Sequence, residues 1–117
     1  MQQNKQQPNL IVELSLEFAL KIIRYTESLE ANRKYVISRQ LLRSGTAIGA
    51  AVREAQNAES KADFIHKMKI AAKEADETDY WLTLCKQSDY LPCDDLISDC
   101  SSISRVLSKI ISSSKTL

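Results

Sequence analysis

The stretch FIHKMKIAAKEADETDYWLTLC, from Phe64 to Cys85, has the most regular hydrophobic pattern in the chain. Its apolar and small residues recur at gaps that alternate between four and three. They are Phe64, Met68, Ala71, Ala75, Thr78, Leu82 and Cys85. Because this spacing places side chains on one face of an α-helix, the stretch predicts a long amphipathic helix. Ser60 and Asp63 precede it three residues apart, as in a capping box that begins a helix.

Three further segments show the same helical period. The first runs from residue 10 to a C-terminal cap at Asn32, and the second from about residue 35 to residue 58. The last begins around Pro92, which the pattern places near the first helical position. Its apolar residues are Leu96, Cys100, Ile103, Leu107 and Ile110. Four helices with short connections predict an all-α fold, an antiparallel up-down-up-down four-helix bundle.

The composition favours the same fold. Only two of the 117 residues are glycine and two are proline, too few for the turns of an all-β protein. Residues 10–112 are therefore predicted to form a single bundle domain. Residues 1–9 are predicted to be a disordered N-terminal tail, and residues 113–117 a C-terminal tail.

The sequence favours a cytoplasmic location. The polar start MQQNKQQPN is not followed by the apolar segment of a signal peptide. No apolar run reaches the ~20 residues that a membrane span needs. The three cysteines, Cys85, Cys93 and Cys100, lack CxxC spacing and are predicted to be reduced and buried.

The chain's only two glycines, Gly45 and Gly49, lie inside the second helix. On a helical wheel they share one shoulder of the apolar stripe, and either Gly45 or Ser44 can belong to the stripe itself. Ser44, Ala47 and Ala51 occupy the other shoulder. Small residues on both shoulders predict close packing of neighbouring helices at Gly45, Gly49, Ala47 and Ala51. A phosphate site at the glycines is disfavoured, because backbone N–H groups in mid-helix are already bonded.

Positive charge is concentrated on the second helix. Residues 32–58 hold five basic residues and one acidic residue, although the net charge of the chain is only +1. Arg39, Arg43 and Arg53 lie on the face opposite the apolar stripe. Two interpretations stay open. These arginines contact the phosphate backbone of RNA or DNA, or they form a solvated or subunit-facing surface.

The third helix carries a second apolar line away from its core stripe. Ile70, Trp81 and Leu84 lie on it, with Glu77 and Tyr80 beside them. A lone tryptophan among aliphatic neighbours outside the core indicates a protein contact, so these five residues are a candidate oligomer interface. The alternative is a wide core with Trp81 at its rim.

No pattern in the sequence indicates catalysis. A di-iron bundle needs a Glu-x-x-His motif on each of two helices, and the chain has a single histidine, His66. It also lacks zinc-ligand spacing, a phosphate loop and a nucleophile paired with a base. We therefore predict no catalytic residues, no metal, no cofactor and no small-molecule substrate.

The run from Ser38 to Leu82 resembles two related groups of four-helix-bundle proteins. They are the proteins encoded in intervening sequences of bacterial 23S rRNA genes and the accessory variability proteins of diversity-generating retroelements. The matching residues are Gln40, Arg43-Ser44, Glu54-Ala55, Ser60, Phe64, Glu74, Glu77 and Tyr80-Trp81. The chain differs at Ala47 and Ala51, where relatives often have Ser and Asn, and it lacks a strong overall positive charge.

The resemblance implies a bundle that assembles as a ring, typically a homopentamer, and an association of the retroelement relatives with nucleic acid. Two functions stay open. The first is a non-catalytic oligomeric accessory protein that contacts RNA or DNA through the arginines of the second helix. The second is a structural or adaptor homo-oligomer that binds another protein. In that case the arginines pair with Glu54, Glu74 or Glu77 of the same or a neighbouring subunit.

Overall fold

The protein is an all-α four-helix bundle, as the sequence predicts. A computed structural model describes residues 9–116. Its helices are α1 (Leu10–Ala31), α2 (Tyr35–Ala55), α3 (Lys61–Gln87) and α4 (Asp94–Lys115). Each helix packs against the two that adjoin it, α1 closes the ring against α4, and within residues 9–116 the diagonal pairs have no Cα atoms within 8 Å of each other. Contacts at the helix ends fix the antiparallel order: Asn9 donates to Gln56, and Ser38 donates to the carbonyl of Thr26.

Polar residues define where α1 ends and where α3 begins. Asn32 caps the C-terminus of α1, and its side-chain amide donates to the carbonyl of Ser28. Arg33 then takes a positive φ of 64°, which turns the chain toward α2. At the start of α3 the hydroxyl of Ser60 accepts from the N–H of Asp63 at 3.0 Å, which confirms the predicted cap. The Asp63 carboxylate accepts from the N–H of Glu59 at 3.1 Å.

Three boundaries differ from the sequence prediction. Helix α2 ends at Ala55, short of residue 58. Helix α4 has Cys93 as its N-cap, so Pro92 lies just before the helix and not at its first position. Helix α4 also continues to Lys115, into the predicted C-terminal tail. Residues 1–8 of the predicted N-terminal tail, and residue 117, lie outside the described part of the chain.

The core follows the predicted stripes closely. On α3 every stripe residue except Phe64 is buried, and Phe64 packs against the core from its edge. The larger buried side chains of the other helices are Ile11, Phe18, Ile22, Leu29, Leu41, Ile48, Val52, Leu96, Ile103 and Leu107. Burying such a side chain contributes roughly 1.5–3 kcal/mol, so this continuous core is the main source of stability.

The small residues on the two sides of the α2 apolar stripe face different helices, α1 on one side and α3 on the other. On the α1 side, a Cβ added at Gly45 would lie 2.9 Å from Cγ2 of Ile22. One added at Gly49 would lie 3.4 Å from the carbonyl oxygen of Ser15, an ordinary contact. On the α3 side, Ser44 and Thr78 share a buried hydrogen bond of 2.9 Å. Both alternatives for the α2 stripe are therefore buried, Gly45 toward α1 and Ser44 toward α3.

The seam between α1 and α4 is the least extensive of the four helix contacts. A salt bridge of 2.9 Å between Lys21 and Asp99 spans it at the surface. The hydroxyl of Tyr25 donates to the carbonyl of Leu91 at 2.7 Å near one end of the bundle. A depression of about 170 Å³ lies beside Phe18 on this seam. The first and last helices, α1 and α4, are thus joined partly by polar contacts.

Candidate functional site

Arg43 lies at the centre of a cluster of ion pairs and hydrogen bonds on the surface. Its guanidinium lies 3.3 Å from Oε1 of Glu74 and 2.5 Å from Oε2 of Glu77, across the seam between α2 and α3. The same Glu77 oxygen accepts from the indole N–H of Trp81 at 2.9 Å. The hydrogen bond from Arg43, followed by that from Trp81, holds the pKa of Glu77 below its usual value. Arg43 is therefore paired within its own chain, as one of the two interpretations expected.

The other two arginines of the predicted face point elsewhere. Arg53 lines a groove of about 290 Å³ between α1 and α2, beside Leu16 and Thr46. Arg39 is exposed on the outside of α2. Within residues 9–116 neither Arg39 nor Arg53 forms a salt bridge. Of the three arginines, Arg43 is thus paired with carboxylates of its own chain, whereas Arg39 and Arg53 can offer their charges to a ligand.

The residues predicted as an oligomer interface on α3 differ in how far they reach the surface. Ile70 and Trp81 are partly buried and pack against the core of their own chain. Tyr80 is 56% exposed, and its ring centroid lies 5.2 Å from that of Trp81. Leu84 is partly exposed, and Glu77 belongs to the Arg43 cluster. Trp81 therefore sits at the core's rim and also reaches the surface, so the interface stays a prediction.

A second apolar surface was missed in the sequence. Leu16, Leu20 and Ile23 of α1 are 48%, 45% and 38% exposed, and Leu42 of α2 is 37% exposed. We call these four residues the α1–α2 face. The signal was present, because Leu16, Leu20 and Ile23 repeat the gaps of four and three that define the core stripe. The pattern of α1 is thus apolar on two sides, only one of which the bundle covers.

The three thiols are free and buried. Cys93 donates to the carbonyl of Leu82, and Cys100 to that of Ala75. Burial raises the pKa of all three and brings that of Cys100 to about 12, so the neutral thiol is favoured. His66 is exposed. Within residues 9–116 no three His, Cys, Asp or Glu side chains are grouped as metal ligands.

Comparison with known proteins places this bundle in a family. The family model described as 23S rRNA-intervening sequence protein matches residues 7–109. The chain belongs to this family. A similar solved structure is a protein with unknown function from the S23 ribosomal protein family of Bacteroides thetaiotaomicron. It is 44% identical with a TM-score of 0.84, over 86% of this chain and 97% of that one.

A comparison with curated proteins finds no match for this family member. Among residues 9–116, none of the four helices has the length and apolarity that crossing a bilayer requires. The family and the solved relative support the bundle fold.

Proposed function

We propose that this protein is a non-catalytic homo-oligomeric scaffold whose copies meet through the α1–α2 face. The observation that carries the proposal is the row of exposed aliphatic side chains on α1, Leu16, Leu20 and Ile23, together with the exposed Leu42 on the adjoining α2. A surface helix of a monomer usually directs polar residues to solvent, and contiguous apolar surface marks a protein contact. The family resemblance supports a closed ring, with five copies as its expected size.

The chemistry of the side chains supports a role without catalysis. The thiols are buried with raised pKa values, which makes them poor nucleophiles. Free, buried cysteines also suit the reducing cytoplasm, which is the location we propose. Arg43, bound by Glu74 and Glu77 of its own chain, favours the structural or adaptor role over phosphate binding at that residue.

A second candidate is contact with RNA or DNA through Arg39 and Arg53. It is favoured by their exposure and by the absence of a carboxylate partner for either within residues 9–116. Guanidinium groups suit phosphate oxygens geometrically. Arg53 lines the same groove between α1 and α2 as Leu16 of the α1–α2 face. Self-association through that face and nucleic-acid contact therefore compete for Arg53.

Light scattering coupled to size exclusion tests the scaffold proposal. We expect the wild type to elute as an oligomer at micromolar concentration and Leu20→Glu to elute as a monomer. Leu20 is 45% exposed, so the charge should leave the subunit's own fold intact, which circular dichroism verifies. Ser28→Glu is the matched control, because it adds the same charge to an exposed position elsewhere on α1 and should preserve the oligomer.

Two outcomes would contradict this proposal. One is a monomeric wild type. The other is an oligomer that survives Leu20→Glu but is lost in Tyr80→Glu, which would move the interface to the α3 residues predicted from sequence. The ratio of absorbance at nucleic-acid and protein wavelengths in the same peak reports bound nucleic acid. Loss of that signal in the Arg39→Ala/Arg53→Ala variant would support the second candidate.

A further inference from the structure

An open cleft of about 550 Å³ lies at the end of the bundle where α2 begins and α3 ends. Three separate segments supply its walls. Arg33 and Lys34 come from the turn before α2 and Tyr35 from its first residue, Trp81 comes from the last turns of α3, and Tyr90 comes from the connection to α4. The remaining lining side chains are uncharged, so none of the lining residues is acidic. The cleft thus combines three aromatic rings with two cations.

The rings are accessible to a ligand. Tyr35 is 48% exposed and Tyr90 is 37% exposed. Trp81 is partly buried, and its indole N–H is bonded to Glu77 at 2.9 Å, which fixes the plane of the ring. Glu77 is itself paired with Arg43, so its negative charge is largely compensated. The aromatic surface is therefore positioned before any ligand arrives.

The two cations are not committed to carboxylates. Lys34 places its Nζ 4.6 Å from the centroid of the Tyr90 ring. Arg33 is exposed, and within residues 9–116 neither cation forms a salt bridge. Asp89 lies beside Lys34 in a separate depression without an ion pair to it. The first turn of α2 contains no acidic residue, so its helix dipole adds to the positive potential that the cations establish.

We infer that this cleft binds a short segment of single-stranded nucleic acid, with bases stacked on Trp81, Tyr35 and Tyr90 and phosphates held by Arg33 and Lys34. Sites for single strands combine stacking rings with cations that follow the backbone, and an open cleft suits an extended chain. An acidic peptide would use the cations and leave the three rings without planar partners. The inference goes beyond the scaffold role and uses no residue of the α1–α2 face.

The sole tryptophan makes a direct test available. Unlabelled oligouridylate or oligothymidylate is titrated into the full-length protein at low salt while Trp81 emission is recorded. Fluorescence anisotropy of the labelled oligonucleotides gives the affinity. We expect saturable quenching of Trp81 with the same midpoint as the anisotropy change. Quenching of Trp81 by either the RNA or the DNA oligonucleotide supports the site. The ratio of the two affinities measures the contribution of the 2′-hydroxyl.

Variants separate stacking from charge. Tyr35→Ala should weaken binding by about five- to 150-fold, the equivalent of one stacked base, while Tyr35→Phe should bind as the wild type does. Arg33→Asn keeps a residue that tolerates the positive φ of this position. It should reduce the slope of log affinity against log salt by about 0.7, the loss of one phosphate contact.

The control is Lys109→Ala, an exposed cation on α4 outside the cleft, which should leave binding and quenching unchanged. An anisotropy change without Trp81 quenching, abolished in Arg39→Ala/Arg53→Ala, would overturn the cleft and place the nucleic acid on Arg39 and Arg53. Equal binding and quenching by polyglutamate would overturn base stacking. Absence of binding to either oligonucleotide at low salt would overturn the inference altogether.

Discussion

The close approach of α1 and α2 predicts opposite responses from the two glycines. In Gly45→Ala the new Cβ would lie 2.9 Å and 3.0 Å from two γ-carbons of Ile22. Ile22 is fully buried and β-branched, so it has little rotamer freedom with which to move away. Overpacking of this kind costs about 1–3 kcal/mol. In Gly49→Ala the new Cβ meets the backbone and the hydroxyl oxygen of Ser15 at ordinary distances of 3.4 Å to 3.6 Å.

Both substitutions gain about 1 kcal/mol from the higher helix propensity of alanine. This gain cancels when the two variants are compared, so their difference isolates the overpacking cost at Ile22. We expect Gly49→Ala to be more stable than Gly45→Ala by about 1–3 kcal/mol. Gly49→Ala should also exceed the wild type, by about 0.5–1 kcal/mol.

Urea unfolding followed by Trp81 emission and far-ultraviolet circular dichroism measures these differences. Protein concentration must be matched, because self-association contributes to apparent stability. A double-mutant cycle with Ile22→Ala provides the internal control, since removing the γ-carbons should abolish the penalty at Gly45. Equal stability of the two glycine variants, with unchanged denaturant dependence, would refute the claim that Ile22 requires a glycine opposite it.

Two further predictions concern the seam between α2 and α3. Thr78→Val should destabilise the fold by about 1–3 kcal/mol in the same urea titration, because the buried hydroxyl of Ser44 loses its partner, and adding Ser44→Ala should recover part of the loss. Because Arg43 and Trp81 lower the pKa of Glu77 in the fold, its contribution is present above the unfolded pKa and is lost as pH falls through the folded pKa. The stability difference between wild type and Glu77→Gln should therefore shrink toward zero in acid, and a difference independent of pH would contradict this account.

The bundle could be predicted from the sequence because the helical spacing of apolar residues is visible within each segment by itself. The capping pair Ser60 and Asp63 fixed the start of α3 in the same way. The far end of α4 was missed because its final residues, SSSK, are neither apolar nor strong helix breakers. Their helical state depends on the preceding turns packing against α1, which a local pattern does not record.

The surfaces were less predictable because they depend on which helices become neighbours. A bond from Arg43 to Glu74 or Glu77 was one of the expected alternatives, and the packing of α2 on α3 selects it. The aromatic cleft joins Tyr35 to Trp81 and Tyr90, which lie in a distant part of the sequence. Only the antiparallel order brings the start of α2, the end of α3 and the following connection to one place.

The limited contact between α1 and α4 has a consequence for local stability. Elements with few shared contacts open more often than the rest of a fold, so backbone amides at this seam should exchange hydrogen with solvent before those between α2 and α3. Helix α1 also carries Leu16, Leu20 and Ile23 on its outer side. Association of copies through those residues would hold α1 in place from outside, so that the protection of its amides rises with protein concentration.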